Sequence, residues 1–248
     1  MSVSISLEQV SLHYASAPQP TFSNLNLTLP KHRWTCILGA SGCGKTSLLR
    51  LLAGLIGPEH SLSGKILCSD GLALHGRIAY MAQQDLLLPW LNVVDNVCLE
   101  SKLTTGRVSR EHRQRATELL AQLGLGHVSE HAPEQLSGGM RQRVALARTL
   151  MQDTPVVLMD EPFSALDAVT RYKLQDLAAS VLKGRTVLFI THDPQEALRL
   201  SDQLILLHGD SKLLPLPCPT SEIPRPIDAE LGQYQQQILQ QIQVNHEH

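Results

Sequence analysis

Apolar residues recur along this chain at two spacings, and each predicts a different kind of element. Ile5, Leu7, Val10 and Leu12 are spaced as in a strand over residues 5–14, ahead of a Pro-containing loop at residues 15–20. Leu25, Leu27 and Leu29 alternate with Asn26 and Thr28, the pattern of a strand with one buried face. Trp34 to Leu38 is a short, mostly apolar run closed by Gly39, which predicts a strand covered on both faces. Further strands are expected at residues 66–67, 78–81, 156–159, 186–190 and 204–207. Ser63 and Gly64 read as a turn. Helical spacing predicts helices over residues 46–55, 109–123 with Ser109 as N-cap, 169–182 and 194–200. Strands alternating with helices predict an α/β core with a largely parallel sheet.

The stretch from about residue 90 to 150 carries no clear strand pattern and reads as a helical insert. Residues 213–226 are Pro-rich and predict an extended connector, followed by a short Gln-rich helix at 233–243 with Ile238, Leu239 and Ile242 at helical spacing. The 248 residues suffice for one large or two small domains with a full core. Apolar residues make up 43% and charged residues 18%, and the net charge of −2 offers nothing to a nucleic-acid partner. The first ten residues contain no apolar signal region, and no run of about 18 apolar residues predicts a membrane span. The five cysteines lack CxxC spacing, which favours reduced thiols over a disulfide or zinc framework. His127 and His131 have i, i+4 spacing, but flanking Gly124, Gly126 and Pro133 predict a loop of solvated histidines there.

Two segments carry chemistry. Gly39-Ala40-Ser41-Gly42-Cys43-Gly44-Lys45-Thr46 satisfies G-x-x-x-x-G-K-[ST] between a predicted buried strand and a predicted helix. Such a loop turns its backbone N–H groups toward phosphate oxygens, and the helix behind it presents its positive end to the same anion. Lys45 adds a point charge for the outer phosphates, and Thr46 a hydroxyl for Mg²⁺. By itself the motif covers every P-loop NTPase. The second segment, Val156-Val157-Leu158-Met159-Asp160-Glu161, is an apolar run closed by two acids. Adjacent side chains at a strand end point to opposite sides, so the two carboxylates can hold different tasks. Asp160 would hold Mg²⁺, and Glu161 would orient the attacking water or take its proton.

Leu136-Ser137-Gly138-Gly139-Met140-Arg141-Gln142-Arg143 resembles the signature sequence of the ABC ATPases, in a variant common among importers. The plain alternative is a Ser-capped helix. The resemblance covers roughly residues 3–210. It implies a P-loop NTPase core, an N-terminal antiparallel β portion and a helical signature subdomain at about 90–150, all within residues 1–212; residues 213–248 would be connector and helix. It implies ATP and Mg²⁺ as cofactors, with residues 39–47, including Ser47, around the phosphates. It also implies a head-to-tail dimer in which Ser137, Gly138 and Gly139 close over the partner's nucleotide.

Other positions follow the family's order. Tyr14 resembles the aromatic that stacks on adenine, with a core or surface tyrosine as the alternative. Gln83 resembles the glutamine that touches Mg²⁺ and the attacking water; Gln84 is its neighbour, and either could be a plain polar strand end. Ser164-Ala165-Leu166-Asp167 resembles the loop that spans the dimer interface, and His192 the switch histidine at the γ-phosphate. Leu87, Leu88, Pro89, Trp90 and Leu91 would meet the coupling helix of an integral-membrane permease, or else pack in the core. The segment 87–90 and Glu161-Pro162-Phe163-Ser164-Ala165-Leu166-Asp167 with Arg171 most resemble the nitrate/sulfonate/taurine importers, a group that also includes importers of thiamine-precursor pyrimidines. Such a subunit sits peripherally on the cytoplasmic face of the inner membrane and is served indirectly by a solute-binding protein. The rival readings are an ABC ATPase outside transport and a separate exporter subunit.

Overall fold

A computed structural model of the chain describes residues 2–209 and 212–246. It begins with two antiparallel strands, β1 (Ile5–Tyr14) and β2 (Phe22–Leu29), followed by β3 (Trp34–Leu38) and the helix α1 (Lys45–Leu52). Strand β4 (His60–Cys68) returns to β1, giving a three-stranded antiparallel sheet of order β2-β1-β4. The second sheet joins β3 to β5 (Ile78–Met81), β6 (Val156–Asp160), β7 (Thr186–Ile190), β8 (Gln203–Leu207) and β9 (Leu213–Leu216). Its order is β5-β6-β7-β3-β8-β9, parallel throughout except for the edge strand β9.

The parity of the central strands explains why their sequences are apolar at nearly consecutive positions. Val156, Leu158, Leu188, Ile190, Ile37, Ile205 and Leu207 face α1 and the antiparallel sheet. Val157, Met159, Val187, Phe189, Cys36, Leu204 and Leu206 face the opposite layer, built from helices. Successive side chains of a strand point to opposite faces, so a strand with both faces covered favours apolar residues on both. Each leucine taken fully out of water contributes about 1.5–3 kcal/mol before entropy is counted.

The helical layer comprises α2 (Val93–Val97), α3 (Leu99–Thr105), α4 (Arg110–Gln122) and α5 (Gly138–Leu150), with α6 (Ala168–Val181) and α7 (Pro194–Leu200) further along. Four of these helices are capped by a short polar side chain accepting from the first turn: Asn92 from Asp95 N, Ser109 from His112 N, Ser137 from Met140 N and Asp167 from Thr170 N. Among the described residues no helix is long and apolar enough to cross a membrane.

Four expectations need correction. Ser63 and Gly64 are not a turn but lie inside β4, where the register with β1 shifts between Glu8 and Ser11. Gly64 has φ 90, and a Cβ there would lie 2.4 Å from the carbonyl oxygen of Gln9, so this close crossing of strands requires glycine. The first P-loop helix stops at Leu52, with Gly54 left-handed at φ 70. The predicted connector is partly sheet, because Leu213–Leu216 pairs with β8. The C-terminal helix, α8 (Ala229–His246), starts earlier and runs longer than the expected 233–243, because Leu231 and Ile238 seat it on the core. The chain before it is tied down by buried Arg225, which donates to the carbonyls of Leu198, Ser201 and Pro219.

Candidate functional site

Sheet register brings distant segments to one edge. Met81 lies beside Met159, Asp160 beside Ile190, and Ile190 beside Ile37. The C-terminal ends of β5, β6, β7 and β3 are therefore level. The segments that leave them begin with Ala82-Gln83, Glu161, Thr191-His192 and the glycine loop. In an open parallel sheet this is where ligands bind.

A cleft of about 420 Å³ opens at that edge. Ser41, Gly42, Gly44, Lys45, Thr46 and Ser47 line it from the loop, and Tyr14, Gln83, Asp160 and Glu161 line it from elsewhere. Gln84 lines the neighbouring cleft, whereas Gln83 lines both it and the cleft that the glycine loop lines. Gly44 caps α1 at φ 101, and a Cβ there would lie 2.7 Å from the ring of Phe22. Lys45 Nζ donates to the carbonyls of Gly39 and Ala40, both at 2.7 Å, so its charge is held across the loop by neutral groups. Ala40 and Cys43 line an adjoining pocket with Leu206, Leu207 and Ile242.

Strand parity sends Asp160 to the face of α1, where the Thr46 hydroxyl donates to Asp160 Oδ2 at 2.7 Å. Asp160 is 2% exposed. Burial raises its pKa, the Thr46 hydrogen bond opposes the rise, and the charge of Glu161 adds to it. A buried carboxylate beside a hydroxyl is a hard-oxygen pair, and a divalent cation there would offset the cost of the buried charge. These residues therefore fit Mg²⁺.

Glu161 has φ 50, a left-handed conformation that costs a non-glycine residue about 1–2 kcal/mol. Its N–H donates to Ile190 O at 2.9 Å, and Oε1 lies 3.2 Å from Nδ1 of exposed His192. Asp193, next to His192, caps α7 and pairs with Arg171 at 3.1 Å, linking the segment after β7 to α6.

Not every expected site residue gathers at this cleft. Ser137 and Gly138 are exposed at the start of α5, and Gly138 lines the neighbouring cleft with Gln83, Gln142, Ser164 and Ala165. Asp167 is exposed, and the backbone N–H of Thr170 is the main cause holding its carboxyl below the ordinary range. Of the segment 87–91, Leu87 packs against the core, whereas Trp90 is 73% exposed, as is neighbouring Leu86 at 57%. Buried Asn96 shapes this loop by accepting from Leu88 N and donating to the carbonyls of Leu88 and Leu91.

Sequence reasoning missed the side chains that hold the segment after Gln83. Arg141 pairs with Asp85 at 3.0 Å, and Arg148 donates to the carbonyls of Asp85 and Leu86. The available signal was the spacing of these two arginines, seven residues apart on one helix and therefore on one face.

A glycine loop before a helix, with a buried strand-end carboxylate beside the helix's first hydroxyl, defines a P-loop nucleoside triphosphatase. The ABC transporter family pattern matches residues 22–164, more than half of the chain, and the protein belongs to that family. It is 46% identical over 229 residues to an uncharacterized ABC transporter ATP-binding protein of Haemophilus influenzae, covering 90% of this chain and 93% of that one. It is 39% identical to an aliphatic sulfonates import ATP-binding protein of Rhodococcus jostii, covering 95% and 92% of the two chains. A taurine import ATP-binding protein of Pseudomonas savastanoi is 44% identical, covering 82% and 78%. Among solved structures, the ATP-binding cassette MJ0796, dimeric and bound to ADP and Pi, superposes with a TM-score of 0.75 at 29% identity, covering 90% of this chain and all of that one. The chain is an ATP-binding subunit with ATPase activity coupled to transport.

Proposed function

We propose that two copies of this chain, arranged head to tail, hydrolyse ATP to energise import of a small solute through a separate integral-membrane permease. The observation that carries this reading is a separation. The glycine loop, both carboxylates, Gln83 and Tyr14 face one cleft, whereas Ser137, Gly138 and Gly139 do not line it. A helix N-terminus bearing an N-cap serine and two glycines is a second anion site, and it needs a nucleotide from another copy.

In this reading Tyr14 stacks on adenine, and the N–H groups of residues 39–47 with Lys45 hold the phosphates. Thr46 and Asp160, with Gln83 alongside, would hold Mg²⁺, which would supply positive charge against the phosphate oxygens. Glu161 orients the attacking water and takes its proton, and His192 reaches the γ-phosphate. Asp167 crosses the dimer interface. ATP binding closes the pair and hydrolysis reopens it; the work passed on is limited by the difference in ATP affinity between the two states.

Residues 1–212 form the ATPase unit, with the helical part at about 90–150 receiving the permease through Leu87–Leu91. The names of the sulfonate and taurine relatives support a small organosulfonate as cargo, delivered by a solute-binding protein. The subunit then sits on the cytoplasmic face of the inner membrane.

Crosslinking tests the arrangement. Ser41→Cys and Ser137→Cys are introduced in a chain also carrying Glu161→Gln, with the native cysteines replaced. A thiol crosslinker should join subunits only when ATP is added. Monomer alone, with or without ATP, rejects the head-to-tail dimer.

A further inference from the structure

The residue that holds Glu161 in its left-handed conformation comes from the signature helix. Gln142 stands one turn into α5, four residues after Gly138, and is only 6% exposed. Both ends of its amide are used. Nε2 donates to the carbonyl oxygen of Glu161 at 3.0 Å and to Ser164 Oγ at 3.3 Å. Oε1 accepts the backbone N–H of Ala165 at 2.8 Å. The backbone settles which way the amide points, since an N–H can meet only the oxygen and a carbonyl only the nitrogen. Ser164 completes the arrangement, its hydroxyl donating to the same Glu161 carbonyl at 3.1 Å. The helix can come this near because Gly139 faces Ala165: a Cβ there would lie 3.0 Å from the Ala165 carbonyl oxygen.

These contacts account for a conformation that the chain would not adopt alone. Rotating Glu161 out of the left-handed region would swing its carbonyl away from Gln142 and Ser164. The Gln142 amide nitrogen and the Ser164 hydroxyl would then lose their shared acceptor, at a cost of the same order as the strain relieved. The same rotation would move the Glu161 carboxylate away from His192.

We infer that Gln142 is a positioning residue: from the signature helix it sets the backbone of Glu161 and of the Ser164–Ala165 turn in its own chain. This rests on the head-to-tail reading for one consequence. The N-terminus of α5 serves the partner's nucleotide, while Gln142, one turn further on, serves the catalytic carboxylate of its own subunit. A rigid helix then joins the two ATP sites, and closure of one site adjusts the general base of the other.

The test is a double-mutant cycle in the full-length chain with its permease complex. Gln142→Met keeps length and loses all three side-chain hydrogen bonds. Turnover per site should fall at least 10-fold, the affinity for ATP should change less than about 2-fold, and the Hill coefficient for ATP should drop toward one. In a Glu161→Gln background the same substitution should add less than about 2-fold, because it acts through Glu161. If Gln142→Met does not fold, Gln142→Glu keeps the acceptor for Ala165 N and replaces only the nitrogen that donates to the Glu161 carbonyl and Ser164 Oγ, and the same loss is expected. Normal turnover in the Gln142 variants, or a loss that adds in full to that of Glu161→Gln, overturns the inference. If Glu161→Gln itself turns over normally, the assignment of Glu161 fails instead, so the two ideas fail separately.

Discussion

His192 Nδ1 lies 3.2 Å from Glu161 Oε1, although the two side chains leave the sheet from neighbouring strands that are 31 residues apart in sequence. The pair sits beside the cleft that Lys45 and Thr46 line. Removing the carboxylate while keeping its shape should therefore spare binding and slow chemistry. Glu161→Gln is expected to lower ATP turnover roughly 10²–10⁴-fold, the usual range for a general base, with ATP affinity preserved. Lys45→Ala should instead weaken nucleotide binding itself. Equilibrium binding of ATP, measured beside single-turnover hydrolysis, separates the two; comparable binding defects in both variants would contradict this division of roles.

Glu196 makes stability depend on pH. It lies on α7, 4% exposed, with Gln175 Nε2 at 3.5 Å from Oε2. Burial pushes its pKa up to about 8; hydrogen bonding from Thr191 and the charge of Arg171 act against the rise, and the charge of Asp193 adds to it. Between the ordinary glutamate value and about 8, the folded chain binds more protons at this site than the unfolded chain does. The stabilisation is complete below the unfolded value and is lost as pH rises through the folded one. Glu196→Gln removes that dependence. Its melting temperature should approach that of the parent near pH 5 and exceed it increasingly up to about pH 8, at roughly 2–4 °C per kcal/mol for a chain of this size. A difference that stays constant across this range would refute the assignment.

Trp90 stands exposed on a loop that Asn96 ties down through the backbone of Leu88 and Leu91, and Leu86 in the same segment is exposed as well. Large exposed aromatic rings often dominate an interface. Trp90→Ser should weaken association with the permease by at least 10-fold in detergent or nanodiscs, while the melting temperature of the chain stays within the small range typical of surface substitutions. Undiminished association would place permease docking elsewhere.

Much of the parallel sheet is legible in the sequence alone. Trp34–Leu38 and Thr186–Ile190 match their predicted limits, because mostly apolar runs bounded by Gly39 and by Gly184-Arg185 allow little else. Pro194–Leu200 also matches, since Asp193 and Pro194 together mark a helix start. Gly64 misled because a glycine at positive φ serves a turn and a bulge equally well, and only the crossing of β4 over Gln9 distinguishes them. The edge strand Leu213–Leu216 was hidden by Pro215, which an edge tolerates and a central strand does not.

At the site the division is similar. The loop from Gly39 to Thr46 and the acids Asp160 and Glu161 were legible in sequence as segments, because a glycine loop and a strand end are made by neighbouring residues. Three relationships were decided only in three dimensions: the Thr46–Asp160 hydrogen bond across 114 residues, the gathering of Tyr14 and Gln83 at the same cleft, and the placement of Gln142 under Glu161. Spacing along a chain dictates local backbone geometry and the face a side chain takes. Which distant face it then meets depends on strand order and helix packing, which no single segment encodes.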